Sequence, residues 1–400
     1  MRGPVSRNVR RDVQATFASF ALSGAVGGTW FSRIPAVREH LHADLRTVGF
    51  VLLCMGLGSL ITMPFTGRIT QRVSAPVVCR FASMTACLLM PVLPFISNTL
   101  GFAAVLLVMG GAYGMWDVTL NVHAAATEKA RAKPIMPMLH GSWSAGLIVG
   151  SGIGALMAGA GVSLRLHFLL VMPVMLVLSV LATRWWTDHR VADVAADLDR
   201  HTAGSTAGTT ARVLTVPIIL IGIMTMCSTL SEGAASDWLA LYLHDDRGVS
   251  QGLAALIFTT YTVALTLGRF SGGGVLQRFG RVTTLRLSGC VTAAGIVATV
   301  VVPGIGGPFL GAILWGFGLS VVFPVAVTAA GDVGGKNAAG AISAVSTIAY
   351  GSFLAGPPLI GILAQDLSIG IALWFVAIMA LGITLLAPFT NPRRLRGPVG

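Results

Sequence analysis

Residues 66–74 read TGRITQRVS, and residues 272–280 read GGGVLQRFG. A shift of 206 residues places one stretch over the other and matches Gln71-Arg72 with Gln277-Arg278. The same shift also pairs glycines elsewhere: Gly101 with Gly307, Gly110 with Gly316, and Gly150 with Gly356. Because one offset holds across several apolar segments, the sequence predicts two repeats of similar structure.

The chain around these stretches is strongly apolar. Of its 400 residues, 54% are hydrophobic and 10% are charged, and the mean hydropathy is +0.80. Soluble domains carry about 25% charged residues, so this chain has too few to cover a water-facing surface. Runs of about 20 apolar residues, each long enough to cross a bilayer, recur from end to end. The sequence therefore predicts an all-α membrane protein with twelve transmembrane helices.

The twelve predicted spans are separated by short polar loops. They cover residues 13–34, 47–66, 77–97, 101–123, 138–160, 166–187, 213–243, 251–271, 284–303, 306–328, 339–362 and 370–389. If the N-terminus is cytoplasmic, 22 of the 27 Lys and Arg residues, Arg269 among them, fall on the cytoplasmic side. The positive-inside rule therefore places both termini in the cytoplasm. The formal charge of +12 is spread over these loops, which favours contact with anionic lipid rather than with nucleic acid.

One polar stretch divides the chain near its middle. Residues 187–212 read TDHRVADVAADLDRHTAGSTAGTTAR and end in the Gly, Ser and Thr residues of a flexible linker. The prediction is a six-helix bundle over 1–187, a cytoplasmic linker over 188–212 and a second six-helix bundle over 213–400. The two bundles are expected to be pseudo-symmetric.

This architecture and its loop motif resemble the major facilitator superfamily of secondary transporters. The family motif G-x-x-x-D-R-x-G-R follows its second helix and recurs weakly after its eighth. The matching residues here are Gly67, Gln71 and Arg72 in the first copy and Gln277, Arg278 and Arg281 in the second. Both copies have Gln where the family has Asp, which puts the usual cytoplasmic charge pairing in doubt. The segments GMWDVTLN, HGSWSAG, EGAASDW and AYGSFLAGPPLIG look like those of a bacterial, sugar-permease-like branch.

The resemblance implies a fold of two six-helix bundles with the solute bound between them near mid-membrane. It implies secondary active transport by alternating access in the bacterial inner membrane. Helix 5 lacks the G-P-x-x-G-G pattern of many antiporters, which favours symport or uniport.

Polar residues inside the apolar segments are the candidate site, because a charge at a helix centre costs about 2.5–3.5 kcal/mol on insertion scales. In the fourth segment, Asp117 and Asn121 have the i,i+4 spacing that places them on one helix face. His140 and Trp143 begin the fifth segment, and the depth of His140 allows it to meet Asp117. Inter-helix hydrogen bonding is the structural alternative for these residues.

The seventh segment, MTMCSTLSEGAASDWLALYL at 224–243, contains Glu232 and Asp237. Glu232 is the leading candidate for substrate binding or proton coupling, with a structural hydrogen bond as the alternative. The 206-residue shift brings Asp237 level with the outer end of the first segment. An external gate formed by Arg33 and Asp237, with Trp30 and Trp238 beside it, is therefore a hypothesis.

The sequence favours a proton-coupled symporter of a small neutral or hydroxylated compound such as a sugar. An efflux antiporter and a transport-incompetent sensor on the same fold are the alternatives. No G-x-x-x-x-G-K-[ST] motif and no nucleophile–base or metal-ligand grouping occurs, so we expect neither an ATP-driven pump nor an enzyme. The expected partners are the solute, protons and the lipid bilayer, with no cofactor, metal or nucleic acid, and the protein is expected to be a monomer.

Overall fold

The computed structural model describes residues 7–131, 135–186 and 214–391, except the side chains of 7–9, 71, 130, 336 and 339. The described residues are helical almost throughout, and no strand occurs among them. The helices of the first part of the chain are α1 (Arg7–Phe31), α2 (Ile34–Leu41), α3 (Leu45–Arg72), α4 (Ala75–Leu89), α5 (Thr99–Arg131), α6 (Met136–Gly159) and α7 (Leu164–Thr183). Those of the second part are α8 (Val216–Asp245), α9 (Gln251–Phe279), α10 (Arg281–Val301), α11 (Gly306–Leu319), α12 (Val322–Gly334), α13 (Ala338–Asp366) and α14 (Ile369–Leu386).

Eleven helical segments in the described part of the chain are long and apolar enough to cross a membrane. They are α3 to α10, α13 and α14, and the stretch Gly306–Gly334 that α11 and α12 form together. The remaining predicted span corresponds to α1, whose many Gly, Ser and Thr residues make it less apolar. That span was predicted as one helix over 13–34. It instead ends at Phe31, and a turn through Arg33 leads into the short helix α2.

The chain divides into two compact units. Unit 1 comprises Met1–Asp199 with Ser250–Leu256, and unit 2 comprises Arg200–Val249 with Ile257–Gly400. The linker predicted over 188–212 lies outside the described residues. The predicted bundle boundaries at 187 and 213 therefore stay a prediction.

In unit 1, α1 packs along α6 with the two backbones in close contact. A Cβ atom added at Gly146 or Gly150 of α6 would collide with the carbonyl oxygen of Ala21 or Ala25 on α1. Small residues of this kind allow membrane helices to approach closely. The glycines of α6 thus position α1, on which several of the polar residues discussed below lie.

The internal repeat is also visible in a pair of helix contacts. Gly110 of α5 packs against the backbone of Met55 on α3, and Gly316 of α11 packs against the backbone of Tyr261 on α9. The shift of 206 residues that relates the two glycines also relates Met55 to Tyr261. Gly356 does not repeat the contact of Gly150, since no atom lies within 4 Å of a Cβ built there. The repeat is therefore retained at the contacts α3–α5 and α9–α11.

Candidate functional site

Asp117 lies in the membrane-spanning helix α5 and is half-buried. The Asn121 side chain donates one hydrogen bond to Asp117 Oδ1, at 3.3 Å, and another to the Asp117 carbonyl oxygen, at 2.9 Å. The two side chains thus share one face, as their spacing predicts. One turn earlier in α5, the Tyr113 hydroxyl donates to the carbonyl of Ser23 on α1, at 2.9 Å. The Asp117 carboxylate is therefore hydrogen-bonded to the Asn121 amide, and it forms no ion pair within the described part of unit 1.

No hydrogen bond between His140 and Asp117 occurs among the described residues, and the Asp117 carboxylate accepts its side-chain hydrogen bond from Asn121. The imidazole is exposed near the start of α6 and lies edge-on to Phe20 of α1, with ring centroids 5.5 Å apart. Trp143 is half-buried in the next turn, and its carbonyl oxygen packs against Gly24 of α1. Both residues therefore lie at the contact between α1 and α6.

The outer end of α1 contains two of the gate candidates. Trp30 is 1% exposed and lines a cavity of about 10 Å³, which is close to the space that one water molecule needs. Arg33 is 3% exposed, and its Nη2 donates to the carbonyl of Val162 between α6 and α7, at 2.8 Å. Its Nε and Nη1 have no hydrogen-bond partner among the described residues. The buried guanidinium thus ties the end of α1 to the turn that follows α6.

A buried polar cluster at the other end of α1 was not predicted. Asp12 and His123 have fully buried side chains, with Asp12 Oδ1 3.0 Å from His123 Nε2. The Thr127 hydroxyl donates to Asp12 Oδ2 at 3.0 Å, and the Trp186 ring stacks on the His123 ring at 3.8 Å. In the sequence, Asp12 follows two arginines and reads as part of a basic terminus. The signal that could have found the cluster is the i,i+4 pair His123 and Thr127.

In unit 2, Glu232 of α8 forms an ion pair with Arg269 of α9. Arg269 Nη2 donates to Glu232 Oε1 at 3.0 Å, and the side chains of Arg269 and Glu232 are 36% and 28% exposed. The sequence predicts Arg269 in a cytoplasmic loop, which is wrong because α9 continues to Phe279, ten residues further on. At about 1.5 Å per residue, Arg269 lies roughly 15 Å inside the end of that helix. Glu232, the leading candidate from the sequence, therefore has a cationic partner within the span.

Asp237 lies further along α8 and is half-buried. It lines a cavity of about 10 Å³ together with Ser352, Gly356 and Pro357 of α13. No hydrogen bond to its carboxylate occurs among the described residues, and the neighbouring Trp238 is completely buried. Asp237 and Arg33 belong to different units. Their pairing as a gate stays a prediction.

The two copies of the loop motif end α3 and α9. In the first copy, Gly67 is half-buried and Arg72 is exposed, while the side chain of Gln71 is outside the described part of the structure. In the second copy, Gln277 and Arg278 are exposed at the end of α9.

Arg281 follows Gly280, whose φ of 73° ends α9 in a conformation that favours glycine. The Arg281 guanidinium donates to Asp332 Oδ2 at the end of α12 and to the Thr390 carbonyl, at 3.0 Å. A charge pair is thus formed in this copy although Gln277 replaces the motif Asp.

Comparisons with known proteins agree with this architecture. The Major Facilitator Superfamily pattern matches residues 15–229 and 221–399. The chain is 31% identical to the transporter y4wD of Sinorhizobium fredii over 380 residues, covering 93% of this chain and 96% of the relative. It is 30% identical over 376 residues to an MFS-type transporter of Yersinia pestis, covering 93% and 94%. Membrane protein MosC of Rhizobium meliloti is 26% identical over 391 residues, covering 96% and 92%.

Solved structures of the same fold are also similar. The nucleoside transporter NupG superimposes with a TM-score of 0.77 at 15% identity, over 94% of this chain and 98% of NupG. A point variant of the E. coli fucose:proton symporter FucP superimposes with a TM-score of 0.62 at 16% identity, over 96% and 100%. At these identities the likeness shows the fold alone. Together with the sequence relatives, it establishes that this multi-pass membrane protein belongs to the Major Facilitator Superfamily of transporters.

Proposed function

We propose that this protein is a secondary active transporter that moves a small hydroxylated solute across the bacterial inner membrane by alternating access, driven by the proton gradient. Both termini would be cytoplasmic, and a single chain would be the working unit. The observation that carries the proposal is Asp117, a half-buried carboxylate within a membrane-spanning helix whose side-chain partner is the neutral Asn121.

Asp117 suits proton coupling better than Glu232 does. Charged residues in transmembrane segments are costly, and they usually mark proton relays or substrate paths. Protonation of Glu232 would weaken its ion pair with Arg269, whereas Asp117 can bind a proton without losing a cationic partner. Asp237 is the corresponding candidate in unit 2, because its carboxylate, like that of Asp117, forms no ion pair among the described residues.

A hydroxylated solute fits the side chains that accompany Asp117. Asn121 can both donate and accept hydrogen bonds. Trp143 of α6 is half-buried where α6 contacts Gly24 of α1, next to Ser23, which accepts the hydrogen bond from Tyr113. Two proteins of similar fold are named for hydroxylated solutes, a nucleoside and fucose, and one of those names includes the proton. The neighbours thus agree in chemical class with the solute proposed here.

The test is uptake of labelled hexoses and nucleosides into proteoliposomes with and without an imposed proton gradient. Accumulation against a concentration gradient is expected only with the proton gradient. Asp117→Asn should abolish that accumulation and leave downhill exchange in place. Asp366→Asn is the matched control, because Asp366 is exposed at the end of α13. Uphill accumulation that persists in Asp117→Asn would remove this carboxylate from proton coupling, and uptake that ignores the proton gradient would refute a proton-driven transporter.

A further inference from the structure

Arg269 lies within a membrane-spanning helix, where cationic residues are rare and usually have a function. It is the nineteenth residue of the 29-residue helix α9, well inside the span. Its guanidinium makes one side-chain hydrogen bond among the described residues, to Glu232, although arginine has five N–H donors. The side chain is 36% exposed, so the other donors are accessible. Arginine in a span usually faces the bundle interior or a wet cavity.

Such a cavity lies beside Arg269 within unit 2. It has a volume of about 240 Å³, and Arg269 and Gly272 of α9 form one wall. Opposite them lie Ser320, Val321 and Pro324, where the tenth span is interrupted between α11 and α12. Its size limits an occupant to a small solute or to one end of a larger solute, since pockets for drug-sized ligands have volumes of about 300–1,000 Å³.

The start of α12 forms part of the wall opposite Arg269. Its N-cap residue is Val321, so no side chain caps its first turn. Pro324, in the same turn, lines the cavity but has no backbone N–H to offer a ligand. Positive charge at this cavity therefore comes from the side chains of Arg269 and Arg281, and Arg281 is held by Asp332 and the Thr390 carbonyl.

Tyr261 adds an unused hydrogen-bond donor near the ion pair. It is 1% exposed, its hydroxyl has no hydrogen-bond partner among the described residues, and it interacts electrostatically with Glu232 and Arg269. The ring is fixed edge-on to Trp315, with centroids 5.9 Å apart, and Trp315 Nε1 donates to Ser231 Oγ at 3.1 Å. Tyr261 does not line the cavity, so its ring belongs to the packing around the ion pair rather than to the binding surface.

We propose that Arg269 binds the carboxylate of a hydroxylated acid in this cavity and that Glu232 forms an ion pair with the Arg269 guanidinium when no acid is bound. The proposal rests on the proposed function and narrows its solute to acids, such as sugar acids. A guanidinium recognises carboxylates through two parallel hydrogen bonds, which a neutral hydroxyl cannot match. The carboxylate of Glu232 already accepts a hydrogen bond from the Arg269 guanidinium, and a ligand carboxylate would compete with it for the N–H donors of Arg269. Phosphate on a lipid headgroup has related chemistry and is separated by the test below.

The test measures binding to the purified full chain by thermal stabilisation in detergent, with a panel of hydroxylated monocarboxylates that includes gluconate and with glucose as the neutral counterpart. Acids are expected to stabilise the protein, and glucose should do so less. Arg269→Gln should weaken acid binding by about tenfold or more, because a charge-assisted hydrogen bond contributes about 1.5–3 kcal/mol. Arg269→Lys keeps the positive charge but loses the two parallel hydrogen bonds of a guanidinium, so it should give an intermediate affinity. Arg286→Gln is the matched control, since Arg286 is exposed on the neighbouring α10.

The decisive variant is Glu232→Gln. Removal of the internal competitor should tighten acid binding several-fold, whereas a purely structural ion pair would give weaker binding or an unfolded protein. Equal acid binding by Arg269→Gln and the parent chain would overturn the proposal. Stabilisation by phosphatidylglycerol, but by no acid of the panel, would also overturn it and assign the cavity to a lipid headgroup.

The same proteoliposomes separate this proposal from the proposed function. Gradient-driven uptake of neutral sugars but of no acid would refute the carboxylate site and leave proton-driven transport intact. Arg269-dependent acid binding without gradient-driven uptake would support the site and refute the transport mechanism.

Discussion

Gly150 and Gly152 lie two residues apart on α6, yet alanine should have opposite effects at the two positions. A Cβ atom at Gly150 would collide with the Ala25 carbonyl oxygen on α1 and lie 2.8 Å from its carbon. A Cβ atom at Gly152 would meet no atom within 4 Å. Since carbon atoms pack at about 3.5–4.0 Å, Gly150→Ala would have to separate α1 and α6 locally by at least about 0.7 Å.

The expected magnitudes follow from this geometry. Overpacking costs about 1–3 kcal/mol, while replacing a helical glycine with alanine contributes about 0.5–1 kcal/mol of stability. Gly150→Ala should therefore lower the free energy of unfolding by about 1–2 kcal/mol, and Gly152→Ala should raise it by up to about 1 kcal/mol. The two variants should then differ in Tm by about 4 °C or more.

Thermal unfolding in one detergent at one scan rate measures this difference, because heating of such proteins is commonly irreversible. Gly150→Ala should also lose solute uptake in proportion to the amount of folded protein. A Gly150→Ala variant as stable as Gly152→Ala would show that α1 and α6 are not in backbone contact. The placement of the polar residues on α1 would then have to be revised.

Further predictions concern the polar clusters and the repeat. Asp12→Ala should destabilise unit 1 by about 3–5 kcal/mol, because it leaves two buried hydrogen-bonding groups without their acceptor, and Asp12→Asn should recover part of the lost Tm. Asp44 caps α3 by accepting from the Thr47 amide at 2.7 Å, and hydrogen bonding to the Thr47 side chain and then to this amide lowers the pKa of its carboxyl group. Asp44→Ala should cost about 1 kcal/mol at neutral pH. The cost should vanish as the pH falls through the lowered pKa, because the contribution of the cap is present only while the carboxylate is ionised. Gly110→Ala and Gly316→Ala should lower the Tm by similar amounts, since each Cβ would meet the equivalent backbone in its repeat, and a loss at one position only would argue against equivalent contacts.

The helical spans could be predicted from the sequence because bilayer thickness fixes their length and composition. Local geometry was also predictable, as shown by Asp117 and Asn121, whose hydrogen bond follows from their i,i+4 spacing. The partner of Glu232 was not predictable in this way. Arg269 is 37 residues distant and near enough to the predicted end of its span to be counted as a loop residue.

The Asp12–His123 pair was missed for a related reason. Its members are 111 residues apart, and only the packing of α1 against α5 brings them together. Hydropathy describes each helix separately and carries no information about which helices become neighbours. Partners within one helix are therefore readable from the sequence, whereas partners on different helices require the fold.

The ion pair between α8 and α9 has a consequence for how the chain enters the membrane. Each of its charges alone would oppose insertion of its own helix, by about 2.5–3.5 kcal/mol for a residue such as Arg269 at a helix centre. Two helices joined by a short turn can leave the translocon together as a hairpin, with the opposite charges already neutralising one another. After its synthesis, α8 should therefore stay in the translocon, and it should enter the lipid only when Arg269 has emerged from the ribosome.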